Sequence, residues 1–231
     1  MQESQEQYIG PDECLFELIK WKPWIIEERE QFSEETTLKY ILQNPASIKA
    51  VYEFKNMGKG FSKGLPLQRL IALGASVDTV RKIHKLYPAA MRKTTEFRTT
   101  PLHSACSYAA SIKVIQYILE HNPESIRQTT KHGFLPLHNA CESKMQTPIS
   151  LALFQLLYQA YPEALHQINK LAETPLKTAE RNPTILPEVL EFLRQETEGN
   201  IKIQASSSEP YSVSTETAKT AATTPNSSDF F

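Results

Sequence analysis

An all-α solenoid of helix-turn-helix repeats, followed by a disordered C-terminal tail, is the fold class the sequence predicts, and three observations predict it. The dipeptide Pro-Leu recurs at Pro66, Pro101, Pro136 and Pro175, at intervals of 35, 35 and 39 residues. A second series, Pro88, Pro123 and Pro162, keeps phase with the first, each proline standing 13 residues before the next Pro-Leu. Between the landmarks, apolar residues fall three and four apart, as on one face of a helix.

Taken in order, residues 1–11 read as a flexible N-terminus and residues 12–59 as capping helices or a degenerate repeat. Pro23 and Pro45 repeat the 22-residue interval of Pro66 to Pro88 and of Pro101 to Pro123, which suggests a fifth unit. The stretch DECLFELIKWKPWIIEEREQFSEE is amphipathic and acid-rich and carries Trp21 and Trp24, so it is expected to cover the first apolar face of the stack.

Residues 60–198 hold the repeats. Thr100 and Thr174 cap helix A, and the following prolines suit the first helical position, where no amide donor is needed. Leu65 and Leu135 replace the threonine in the other two units and forgo a cap worth roughly 1 kcal/mol. Helix B carries Val77, Val80 and Ile83; then Ile112, Ile115, Ile118 and Leu119; then Phe154 and Leu157; then Val189, Phe192 and Leu193. One helix pair cannot bury such a stripe alone, so neighbours must stack. The four extra residues of the third interval fall around ESKMQTP, in the turn between helices.

The unit resembles the ankyrin repeat, whose signature is Thr-Pro-Leu-His followed by small residues on a period near 33 residues. The match is good at Thr100-Pro101-Leu102-His103 with Ala105-Cys106 and partial at Leu135-Pro136-Leu137-His138 with Ala140-Cys141. It is weaker at Thr174-Pro175-Leu176-Lys177 and Leu65-Pro66-Leu67-Gln68. Departures are Ala109-Ala110-Ser111 for the family's Gly-His turn and Asn122-Pro123-Glu124 or Tyr161-Pro162-Glu163 for its Gly-Ala-Asp; only Gly133 keeps the loop glycine. The resemblance implies a histidine that steadies the helix start by local hydrogen bonding, and a partner gripped by the inter-repeat loops and the concave face of the A helices.

The repeated His and Cys therefore read as packing residues and not as zinc ligands: equivalent side chains on stacked helices start from axes roughly 8–10 Å apart, too far to share a tetrahedral site. Cys106 shares the inward face of Leu102, which favours an inert core thiol over a nucleophile. No cofactor, metal or catalytic group is expected. Three widely spaced cysteines, no apolar leader and no membrane-length apolar run suggest a reducing compartment, cytoplasmic or nuclear.

Formal net charge is −1 but segregated: residues 1–35 carry ten acids and three bases, residues 36–98 three acids and twelve bases. The loop KNMGKGFSKG lies in the basic stretch and offers Lys59, Phe61 and Lys63; it lacks a Walker order, so nucleotide binding is not indicated. The repeat loops add Glu96, Phe97 and Arg98, then Lys131, His132 and Phe134, then Asn169 and Lys170, with Tyr108, Glu142 and Arg181 at the ends of the A helices. Their mix of charge and aromatic character suits a protein interface. The expected role is thus a monomeric, non-catalytic scaffold or adaptor for intracellular proteins. The alternative is an electrostatic binder of nucleic acid or anionic membrane through residues 39–98. Residues 199–231 are rich in Ser and Thr and poor in core-forming side chains, hence the expected disorder; within them lie Thr224-Pro225, a site type for proline-directed phosphorylation, and Asp229-Phe230-Phe231, a candidate docking peptide.

Overall fold

The computed structural model describes residues 10–55, 61–143, 145 and 149–207. It is a stack of helix pairs. The A helices are α4 (Pro66–Leu73), α6 (Pro101–Ser107), α8 (Pro136–Cys141) and α10 (Pro175–Glu180), and each Pro-Leu opens one of them. The B helices are α5 (Val77–Leu86), α7 (Ile112–His121), α9 (Leu151–Ala160) and α11 (Pro187–Ser207). Along the A row α4 packs on α6, α6 on α8 and α8 on α10; in the B row α5 packs on α7 and α9 on α11.

The second proline series ends helix B for a steric reason. A residue preceding proline is disfavoured in the right-handed helical region, and Tyr87, Asn122 and Tyr161 sit at ψ of 80°, 68° and 82°. Each proline then opens one turn of 3-10 helix: Pro88–Met91, Pro123–Ile126 and Pro162–His166. The apolar stripes meet between the rows, where Leu102, Cys106, Ile115, Ile118, Cys141, Phe154 and Leu157 are fully buried.

At the N-terminal end lie α1 (Glu13–Ile19), α2 (Ile26–Arg29) and α3 (Glu34–Gln43). Here α1 packs on α3 and α4, and Pro45 opens a 3-10 turn after α3. Pro23, however, does not begin a helix A: it lies in the turn between α1 and α2, and Asp12 caps α1 through its carboxylate, accepting from the Leu15 amide at 3.0 Å. The acid-rich segment meets the first repeat through helix ends. Arg29 Nε donates to Leu73 O (3.2 Å) at the C-terminus of α4, and Glu34 Oε1 accepts from the Ser76 amide (2.8 Å) and hydroxyl (2.6 Å) at the start of α5. Each charge thus complements the dipole of the helix end it touches.

The fold is mostly helical, as expected, and two details are corrected. First, β1 (Tyr52–Lys55) pairs antiparallel with β2 (Phe61–Gly64), Tyr52 opposite Gly64. The basic glycine-rich stretch expected to be a flexible loop is therefore partly a hairpin, held because Tyr52 and Phe54 turn inward, 1% and 5% exposed, while Val51 and Glu53 face out. Second, α11 continues to Ser207, past the position 199 expected to begin the tail. No proline intervenes before Pro210, and one interior glycine, Gly199, costs only about 1 kcal/mol against alanine. Residues 208–231, with Thr224-Pro225 and Asp229-Phe230-Phe231, lie outside the described residues, as do residues 1–9.

Three inter-repeat loops share one turn. Thr95, Thr130 and Asn169 each use a side-chain oxygen to accept the amides two and four residues on, at 3.3 and 3.2 Å, 3.3 and 3.1 Å, and 2.8 and 3.1 Å. The turn demands a left-handed residue at its fourth position: Arg98 (φ 58°), Gly133 (φ 76°) and Ala172 (φ 57°). Only glycine enters that region without penalty. Ala172→Gly is therefore expected to raise stability by roughly 0.5–1 kcal/mol. Gly133→Ala is expected to lower it by about 1–2 kcal/mol, since its Cβ would also meet Lys170 N at 3.1 Å and Asn169 Cα at 3.3 Å. Urea midpoints of the two variants check this, and a destabilised Ala172→Gly would remove the strain argument.

Candidate functional site

The residue after Pro-Leu joins one repeat to the next. His103 Nδ1 accepts from the Thr100 amide (3.3 Å) and lies 2.7 Å from the Thr100 hydroxyl, while Nε2 donates to Phe134 O (2.9 Å) in the next loop. His138 repeats the pattern, Nδ1 to the Leu135 amide (3.3 Å) and Nε2 to Glu173 O (3.0 Å). In the first unit Gln68 takes the part: Oε1 accepts from the Leu65 amide (3.3 Å), and Nε2 donates to Thr99 O (2.8 Å) and Lys93 O (3.3 Å). Units whose N-cap is leucine thus keep the half of the capping interaction that the third helical residue supplies. Burial pushes the His103 pKa down to about 4 and that of His138 in the same direction, so both rings are neutral at pH 7. Burial likewise drives the Cys106 and Cys141 thiols well above their ordinary value, as fits packing groups. Among the described residues no cluster of three His, Cys, Asp or Glu is placed to hold a metal ion.

Those joints bring the loops into one row. The Lys131 amide donates to Phe97 O (2.8 Å) and the Lys170 amide to His132 O (3.0 Å), so successive tips are linked through backbone alone. Their side chains stay outside: Glu96, Phe97, Arg98, Lys131, His132 and Lys170 are exposed. Two expected members are not. Phe134 and Asn169 are 8% and 4% exposed, because the ring packs edge-on to His138 at 5.7 Å and the amide builds its own turn. The row gains two residues that sequence reasoning passed over, Ile168 and Leu171, 62% and 61% exposed on the third loop; the signal was two large apolar residues in QINKLAE with no helix to bury them.

At the inner ends of the A helices, Glu142 is exposed and Tyr108 half-buried, and Arg181 Nη2 pairs with Glu173 Oε2 at 2.7 Å. On the hairpin, Lys63 is exposed and its backbone amide donates to Glu96 Oε1 (3.2 Å), tying β2 to the first loop; the side chain of Phe61 and all of Lys59 lie outside the described residues. Among the described residues of the basic stretch, Arg69 is buried and Arg81 pairs with Asp78 at 2.6 Å, and the others are spread over α3 (Lys39), the 3-10 turn after it (Lys49), the hairpin (Lys55 and Lys63), α5 (Lys82 and Lys85) and the segment from Arg92 to Arg98 in the first loop.

Helix pairs joined by side-chain-to-carbonyl bonds, with their loops linked in a row, define a repeat solenoid built in one direction. A protein-family profile described as ankyrin repeats (3 copies) matches residues 69–164, so that segment consists of ankyrin repeats, a module that commonly mediates protein-protein interaction. The α10–α11 pair lies beyond the matched segment and follows the same helix plan. A search of curated proteins returned no match. Among the described residues no helix is long and apolar enough to cross a membrane.

Proposed function

We propose that the chain is a non-catalytic scaffold or adaptor that holds an intracellular protein, in the cytoplasm or nucleus, through its loop row and the concave face of its A helices, and that it does so as a monomer. One observation supports this most: backbone hydrogen bonds fix the loops side by side while Phe97, Arg98, Lys131, His132 and Lys170 remain exposed along them. Interfaces favour such rigid platforms, since less conformational freedom is lost on binding. The dispersal of the basic residues favours this reading over an electrostatic binder of nucleic acid or anionic lipid.

Affinity capture at physiological salt, comparing the intact chain with F97A/R98A/K131A/H132A, tests it. Truncating a cluster of interface residues is expected to weaken a specific partner at least tenfold, with the thermal midpoint unchanged. Equal capture by both chains, or capture of nucleic acid or lipid whose binding falls steeply with salt, would overturn it.

A further inference from the structure

Beside the row of loops lies a groove of about 210 Å3 that the repeats alone do not form. One wall is the β1–β2 hairpin (Phe54, Ser62, Gly64), another the first loop with Phe97, and the floor comes from α4 and α6 with Arg69, Ser104 and Tyr108. Asn139 of α8 closes the far end.

Two polar groups in this lining are incompletely served. Arg69 is 7% exposed, its guanidinium 4.5 Å over the Phe54 ring. Nε donates to Ile19 O (3.0 Å) and Nη2 to Lys20 O (2.9 Å), at the C-terminus of α1. These carbonyls occupy two of the five N–H donors of an arginine. Among the described residues no carboxylate lies within ion-pair distance of it; the groups that favour its charge are the Tyr108 phenol and Glu28, and Glu28 is paired with Lys22. Desolvation lowers its pKa to about 10, which leaves it charged at neutral pH. A buried cation without a counter-ion is costly, and an anion that completes it recovers that cost. The second group is Asn139: Nδ2 donates to Ser107 Oγ (2.8 Å), while Oδ1 is buried with no partner.

We propose that this groove takes an extended acidic segment of a partner protein, an aspartate or glutamate carboxylate pairing with Arg69. It rests on the partner-binding reading above and adds the partner's chemistry. One unpaired guanidinium balances one negative charge. The remaining polar lining is neutral hydroxyl and amide, which suits a carboxylate better than a phosphate carrying nearly two charges at pH 7. Phe97, 37% exposed at the rim, provides an apolar contact for a neighbouring side chain.

The test is selection of a displayed library of random 12-residue peptides on the full chain, followed by binding measurements with synthetic peptides. Selected sequences are expected to share an acidic residue, and changing it to its amide is expected to weaken binding at least tenfold. Phe97→Ala is expected to weaken binding severalfold with no change in melting temperature. Arg69→Lys, which keeps the charge but not the fork, is expected to weaken it as well. Because Arg69 also anchors α1, the peptide-side change decides the matter even if that variant is unstable. Sequences without an acidic residue, an amide peptide that binds as well as its parent, or a phosphopeptide that binds tenfold better would each overturn the assignment. Peptides lost on Lys131→Ala and His132→Ala but indifferent to Phe97→Ala would overturn the groove and leave the loop row standing.

Discussion

Replacing His103 by leucine is expected to destabilise the protein by about 3 kcal/mol, whereas glutamine at the same position should cost less than about 1 kcal/mol. Leucine preserves the apolar bulk of a fully buried side chain but strips the Thr100 amide of its acceptor and breaks the bond to Phe134 O, which keeps only the Thr130 amide (3.0 Å). The amide left unpaired costs about 1–3 kcal/mol and the lost bond to the next loop about 1 kcal/mol more. Glutamine is the natural replacement because Gln68 already forms the equivalent bonds one repeat earlier, from the same place in its helix. For a domain of this size 3 kcal/mol lowers the thermal midpoint by roughly 6–12 °C. Urea and thermal unfolding followed by circular dichroism measure both variants; equal losses would show that ring packing, and not the joint, is what matters at this position.

Stability should also fall by about 3 kcal/mol as pH drops from 7 to below 4, through His103 alone. The sign follows from where the proton goes. Burial sets the folded His103 pKa near 4, below the ordinary 6.5, so between these values the unfolded chain binds a proton that the folded chain refuses. The stabilisation is complete above pH 6.5 and is lost as pH falls towards 4. His138, lowered for the same reason, adds in the same direction. Glu28 and Glu34 are shifted below the ordinary carboxylate range, so their contributions are lost only at still lower pH. Unfolding free energies at half-unit pH steps should therefore show a first decline centred between pH 4 and 6.5, reduced in H103Q. A flat profile there would contradict the burial of a neutral imidazole.

Prolines made most of the stack legible. Pro66, Pro101, Pro136 and Pro175 fix helix starts by lacking an amide donor, and Pro88, Pro123 and Pro162 fix helix ends through the residue before them, so both effects are local and survive any tertiary context. The inward face of Cys106 was legible from its spacing to Leu102, and the local bonding of His103 from the ankyrin resemblance, whereas the bond from each ring to the next loop was not. The hairpin was obscured because glycines and lysines in KNMGKGFSKG signal a loop, although the alternation of Tyr52 and Phe54 with Val51 and Glu53 carried a strand pattern. Arg98 and Ala172 gave no sign of their left-handed backbone, since the turn is imposed by Thr95 and Asn169 and not by the strained residue itself. Candidate binding residues were the least legible. Position on a loop says nothing of whether a side chain points outward, and Phe134 and Asn169 point in.

Gln68, His103 and His138 each reach a main-chain oxygen of the next loop: those of Thr99, Phe134 and Glu173. Any amino acid presents the same carbonyl, so the architecture does not inspect what the loops display. Assembly and recognition are thereby assigned to different atoms of the same residues. The exposed tips can be rewritten by mutation, in nature or at the bench, without renegotiating the stack beneath them. The fourth unit carries Lys177 where the others carry Gln or His. A copy of residues 99–133 inserted in frame would bring both halves of its own coupling, which makes the chain extensible by duplication.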